Sequence, residues 1–273
     1  MFLSYIKSEF NSQYNLASIF FRYAFRESFI AILFRAAAEF AQVLSLLLPL
    51  KIFIIMGSEG IPVYLNSLIS NESKTTWLII LSIITIFIYL LAIMLNVISG
   101  WIMGKGISKL LPAPHVFKTS SKNDRLNLVK VYKLSLELYA NLLIVILGLL
   151  LIFALNPLIF VLIFSFLMLQ VLIVNFVLGS KLGLFKRLTQ SIFRNKTECI
   201  KYFSAMNFLG LFIFLFVSFM IGNQFNVLIG ILLLLLGRRI FQSFQKAGTN
   251  LIKLREECPD VRVVINDIFT KIA

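Results

Sequence analysis

Histidine is nearly absent from this 273-residue chain, with His115 as its single example, and cysteine is limited to Cys199 and Cys258. A protein-held metal needs three or four His, Cys or carboxylate ligands gathered at set spacings. No such cluster is written here, and no metal site is expected. The two cysteines fall on segments expected to face the reducing side of a membrane, so no disulfide framework is implied. Nucleophile and base chemistry is missing too: His115 stands alone between Pro114 and Val116, no Gly-x-Ser-x-Gly is present, and no paired acids appear. Gly100-Trp-Ile-Met-Gly-Lys-Gly106 fails as a phosphate loop, being one residue short, lacking Ser or Thr after Lys105, and following no strand. An enzyme is therefore not expected. Polar surface is scarce as well, since 59% of residues are hydrophobic, 28 are Phe, and mean hydropathy is +0.93. Such a chain cannot coat a water-soluble body, whereas lipid readily solvates its apolar exterior. Met1 to Phe29 carries Lys7, Glu9, Arg22, Arg26 and Glu27 in place of a short apolar run, so no removable signal peptide is expected. There is also no solenoid-period repeat and no low-complexity stretch.

What the chain does have is apolar length. A helix crossing about 30 Å of hydrocarbon needs about 20 apolar residues, and six segments meet or approach this: 30–56, 77–98, 136–155, 158–178, 203–221 and 227–244. The expected fold is an all-α polytopic membrane protein with six transmembrane helices. Its parts are an amphipathic interfacial segment over 1–28, a six-helix domain over 29–245, and a helix or tail over 246–273. Charge supplies the orientation. Of 26 Lys and Arg residues, 7 lie between Lys105 and Lys133 and 6 between Lys181 and Lys201, while Lys74 is the one basic residue in an expected outside loop. Short basic loops resist translocation, so both termini are expected in the cytoplasm and the protein in the inner, or plasma, membrane. The net charge of +14 then serves topology and anionic headgroups, and nucleic acid is not an expected partner.

The expected outside connections are minimal: the Asn156-Pro157 turn, Gly222 to Asn226, and about 20 residues from Gly57 to Thr76. The inside segments alternate charge with apolar residues. Leu126, Leu128, Val129, Val131 and Tyr132 keep helical spacing, which predicts helices continuing beyond the bilayer.

Charged groups within a span cost about 2.5 to 3.5 kcal/mol on insertion scales and so point inward, pair, or serve a pathway. Arg35 and Glu39, four apart, can pair on one helix face. Lys51 follows Pro49, a residue that frees a carbonyl and can kink the helix. Glu137 opens the third span, while Gln170 and Asn175 sit in the fourth. These six residues are the candidates for a substrate path. The alternatives are the ion pair of Arg35 with Glu39 on their own helix, outward snorkelling of Lys51, and hydrogen bonds from Gln170 and Asn175 to neighbouring helices. Arg238 and Arg239 interrupt the sixth span and are expected to meet headgroups, a partner or an inner vestibule.

Six spans with tight outside turns and basic helical inside loops resemble the transmembrane domain of type I ABC exporters. Leu48-Pro-Leu-Lys-Ile-Phe-Ile-Ile55 resembles that family's first helix, Lys122-Asn-Asp-Arg-Leu-Asn-Leu-Val129 its return into the third span, Ala154-Leu-Asn-Pro-Leu-Ile159 its external corner, and Gly222 to Gly237 its sixth helix. The resemblance implies a homodimer or heterodimer of six-helix subunits around a translocation path. A separate ATP-binding subunit would supply the power and carry the ATP-Mg, with no cofactor on this chain. Docking would then fall to Pro114, His115, Phe117, Asp124 and Arg125 in the first inside loop, and to Phe193, Arg194 and Glu198 in the second. The chain departs from the family at that second loop, where about 24 residues reach only about 18 Å out and back at 1.5 Å per residue. This shortening favours the alternative function, a non-transporting accessory, immunity or assembly protein on an exporter-like scaffold.

Overall fold

In a computed structural model the protein is described over residues 2–57, 74–110, 122–179, 196–221 and 227–256. Apart from Asn156 every described residue is helical, and no strand occurs among them. Six helices follow in order: α1 Phe2–Gly57, α2 Lys74–Leu110, α3 Lys122–Leu155, α4 Pro157–Gly179, α5 Lys196–Ile221 and α6 Val227–Glu256. Four stretches are long and apolar enough to cross a membrane, namely Tyr23–Gly57, Thr75–Leu110, Leu126–Leu155 and Thr197–Ile221. A shorter apolar helix covers Pro157–Leu172, and α6 carries Arg238, Arg239 and Lys246 within its length. The protein is membrane-embedded.

At 1.5 Å per residue, the 37 residues of α2 extend about 55 Å and the 34 of α3 about 51 Å. Both outrun a hydrocarbon core about 30 Å thick. The helical continuation predicted from Leu126 to Tyr132 is thus present, and α2 likewise stays helical to Leu110. In α6 the helix passes the expected boundary at 245 and ends at Glu256, with Ala247, Asn250, Ile252 and Leu254 buried.

The shortest connection has a clear local cause. Asn156 caps α4, its Oδ1 accepting from the backbone N–H of Leu158 at 3.0 Å and of Ile159 at 3.2 Å. Pro157 follows at the first helical position, where a missing N–H costs nothing. Within α1 the single break in helical dihedrals is Ala24, at φ −136° and ψ 42°. Pro49, expected to bend this helix, stays inside it with helical dihedrals on either side.

Three buried clusters run along the bundle, and α1 contributes to each. At one end Phe20, Ala24, Ala31 and Ile32 of α1 meet Met103 and Leu110 of α2, Tyr132 and Leu136 of α3, and Leu254 of α6. Tyr132 anchors this cluster: its ring stands edge-on to Phe20 at 5.2 Å, and its hydroxyl pairs with Ser28 at 2.9 Å. A side chain at Gly106 of α2 would strike that hydroxyl, which is why glycine is needed there. The central cluster joins Val43, Val145, Ile152, Ile159, Ile163, Leu211, Leu233 and Phe241, so it draws on α1 and α3 to α6. At the far end Ile55 packs on Trp77 and Leu81.

Candidate functional site

The charges that sequence reading placed inside the spans converge where α1, α3 and α6 meet. Arg35 donates to Glu137 of α3 at 3.2 Å, and Glu39, one turn further along α1, is ion-paired with Arg239 of α6. The expected pair between Arg35 and Glu39 is not formed. Each reaches a different neighbouring helix, because two apolar helices flanking α1 offer opposite charges that lipid cannot solvate. Asn250 donates to the second oxygen of Glu137 at 3.5 Å, the outer limit of a hydrogen bond. Lys246 lies between Arg239 and Asn250 along α6, beyond the expected end of the sixth span. Partial burial, then the charges of Arg239 and Arg35, push its ammonium below the usual lysine range, against the upward pull of Glu137.

Moving along α1 from Arg35 to Glu39 corresponds to moving back along α6 from Asn250 to Arg239, so the two helices run in opposite directions. Between them lies a cleft of about 250 Å³. One wall is Glu39, Gln42, Val43 and Leu46; the other is Leu235, Arg238, Arg239 and Gln242. Both sets step by three, one and three residues, the spacing of a single helix face. Opposed directions bring the polar ends of both stripes together and the apolar ends together.

Arg238 is exposed on this cleft, with its guanidinium 5.8 Å from the centre of the Phe208 ring on α5, within cation–π range. The Nε of Arg239 is buried without a hydrogen-bond partner among the described residues.

Gln170 belongs to another polar contact. It is fully buried in α4 and accepts from Asn207 of α5 at 3.1 Å, while Ser204 of α5 donates to the Phe241 carbonyl of α6 at 2.9 Å. These are interhelical ties of the kind that hold membrane bundles together. Asn207 was not singled out from the sequence; its spacing of three from Ser204 on one face of an apolar helix was the available signal.

Lys51 is half-buried in α1 and away from the charged layer by about three turns. Asn175, Asp124 and Arg125 lie on described helix, with their side chains outside the described residues. Pro114, His115, Phe117, Phe193 and Arg194 lie wholly outside them. Glu198 is half-buried in the first turn of α5, where a carboxylate complements the helix dipole. Cys199 beside it is 1% exposed, so its thiol is shielded by packing.

Known protein families, curated proteins and solved structures were compared with this chain, and none of them matches. The fold therefore defines the class by itself: an all-helical, membrane-embedded protein with an ionic layer joining three of its helices.

Proposed function

We propose that this chain is the membrane-spanning subunit of an ABC-type exporter, crossing the inner membrane six times, dimerising around a translocation path and drawing on a separate ATP-binding subunit. The observation that carries this reading is the shared helical end at which α1, α2, α3 and α6 pack together, with α2 and α3 longer than the hydrocarbon core is thick. A transport domain that answers to a soluble ATPase needs such rigid levers, because loops lying flat on the headgroups transmit no displacement to helices in the bilayer. The basic segments 105–133 and 181–201 would receive the partner.

The charged layer favours a second reading. Arg35, Glu39, Glu137 and Arg239 are consumed in interhelical pairs, and Gln170 ties α4 to α5. A permanently closed interior suits a non-transporting accessory or assembly protein built on the same scaffold.

Purification of the full chain from its native membrane in mild detergent, followed by photolabelling with azido-ATP, separates the two. The exporter reading expects a co-purifying soluble chain that takes the label and hydrolyses ATP faster in the complex than alone. Recovery of the six-helix chain in intact form without any labelled partner overturns it and leaves the accessory reading.

A further inference from the structure

The cleft between α1 and α6 has the layout of a binding site for an amphiphile. Its polar end holds two glutamines and two arginines against one carboxylate, and its apolar end holds Val43, Leu46 and Leu235. Glu39 and Arg239 neutralise one another, which leaves the Arg238 guanidinium as the uncompensated charge. Among the described residues no carboxylate lies within ion-pair reach of Arg238. Gln242 and Gln42 follow at one-turn spacing on the facing walls and supply neutral donors beside the arginines.

Depth decides what kind of anion can enter. Arg238 stands six residues before Phe244, the expected inner end of the sixth span, and so about 9 Å along the helix into it. A free inorganic anion would have to leave water to reach that level, at a cost of several kcal/mol per ion. An amphiphile meets both ends of the cleft at once, its oxyanion against Arg238 and its chain along the apolar wall. Burial of that chain offsets a desolvation cost that a bare ion would bear alone. Leu46 is 61% exposed, so the apolar end of the cleft opens on surface that an acyl chain covers without displacing protein.

We infer that the α1–α6 cleft binds an anionic phospholipid, its phosphate on Arg238 beside Gln42 and Gln242, its acyl chain along Val43, Leu46 and Leu235. This site is independent of whether the chain transports anything. It bridges α1 to α6 next to the Glu39–Arg239 pair, so an occupied cleft adds a second tie between the same two helices.

The full chain, purified and delipidated in dodecyl maltoside, is titrated with fluorescently labelled phosphatidylglycerol, and the label is competed off. Unlabelled phosphatidylglycerol is expected to displace it, while phosphatidylcholine and inorganic phosphate at equal concentration are not. Arg238→Gln is expected to weaken phosphatidylglycerol binding about tenfold, and Leu46→Trp, which fills the apolar end and leaves every charge in place, to weaken it at least as much. Lys105→Gln, which removes a basic residue over the Trp101 ring of α2 and far from the cleft, is expected to bind as the parent does. Equal loss in Lys105→Gln means diffuse attraction to a basic surface and overturns the proposal. So does unchanged affinity in both cleft variants, or displacement by inorganic phosphate or by phosphatidylcholine. Arg238 is exposed, so its variant is expected to fold; should it not, Leu46→Trp decides the matter alone.

Discussion

Helices α2 and α3 are nearly matched in length and greasiness and opposite in situation. Over their most apolar stretches, 11% of α2 residues are buried inside the protein against 39% of α3. In α2, Ile83, Ile86, Phe87, Met94 and Val97 are exposed, and the hydroxyls of Ser82 and Thr85 bond back to their own helix at Leu78 and Leu81. Its long-range polar contacts to α1 include Ser99 donating to the Ala31 carbonyl at 2.9 Å and, near its end, Lys109 paired with Glu27. In α3, Tyr132, Glu137 and Gly148 each face another helix. Hydrophobicity therefore says that a helix crosses lipid, and the placement of its few polar and small residues says whether it does so at the rim or in the middle.

The largest expected test of that contrast is at glycine. A side chain built at Gly148 meets Ile240 of α6 at 2.7 and 3.0 Å, whereas nothing stands within 4 Å of Gly100 in α2. Gly148→Leu is expected to destabilise by about 1–3 kcal/mol through overpacking, and Gly100→Leu by less than about 0.5 kcal/mol. Thermal unfolding in dodecyl maltoside reads both, and equal effects would erase the distinction between rim and centre.

A smaller loss is expected from Glu137→Gln, which strands Arg35. A fully buried broken pair costs about 3–5 kcal/mol, but these side chains are 33% and 34% exposed, so about 1–2 kcal/mol is expected. The double variant Arg35→Leu with Glu137→Leu should recover most of it, because the unpaired charge is then gone. No recovery in the double variant breaks the assignment of the pair.

The smallest effect sharpens the comparison at the shared helical end. Tyr132→Phe removes the hydroxyl bonded to Ser28, for a net loss of about 1 kcal/mol. Ile86→Ala, of larger volume change but on the lipid face of α2, is expected to cost no more than about 0.5 kcal/mol in the same assay.

Much of this was readable before any coordinates. The Asn156-Pro157 reversal, the run of α3 beyond its span, and the presence of inward charges at Arg35, Glu39 and Glu137 all follow from residue type and spacing. Their partners do not. Arg35 and Glu39 sit one turn apart and read as a pair on one face, yet the bundle turns them to α3 and α6. Pairing between residues about 100 and 200 positions apart leaves no local trace. Pro49 can kink a helix but is carried inside one, while the break falls at Ala24, the strongest helix former by propensity. The cleft was equally hidden, since it exists only when two stripes from distant helices face each other.

The sequence by itself determined that this chain is helical and lives in lipid, because apolar length and segregated basic charge act locally, on each segment's own transfer from water. Only the tertiary structure decided which charges meet, which helix stands at the rim, and where α1 and α6 leave room for a ligand. Those outcomes depend on which faces of separate helices come together, and a one-dimensional pattern of polarity is compatible with many such arrangements.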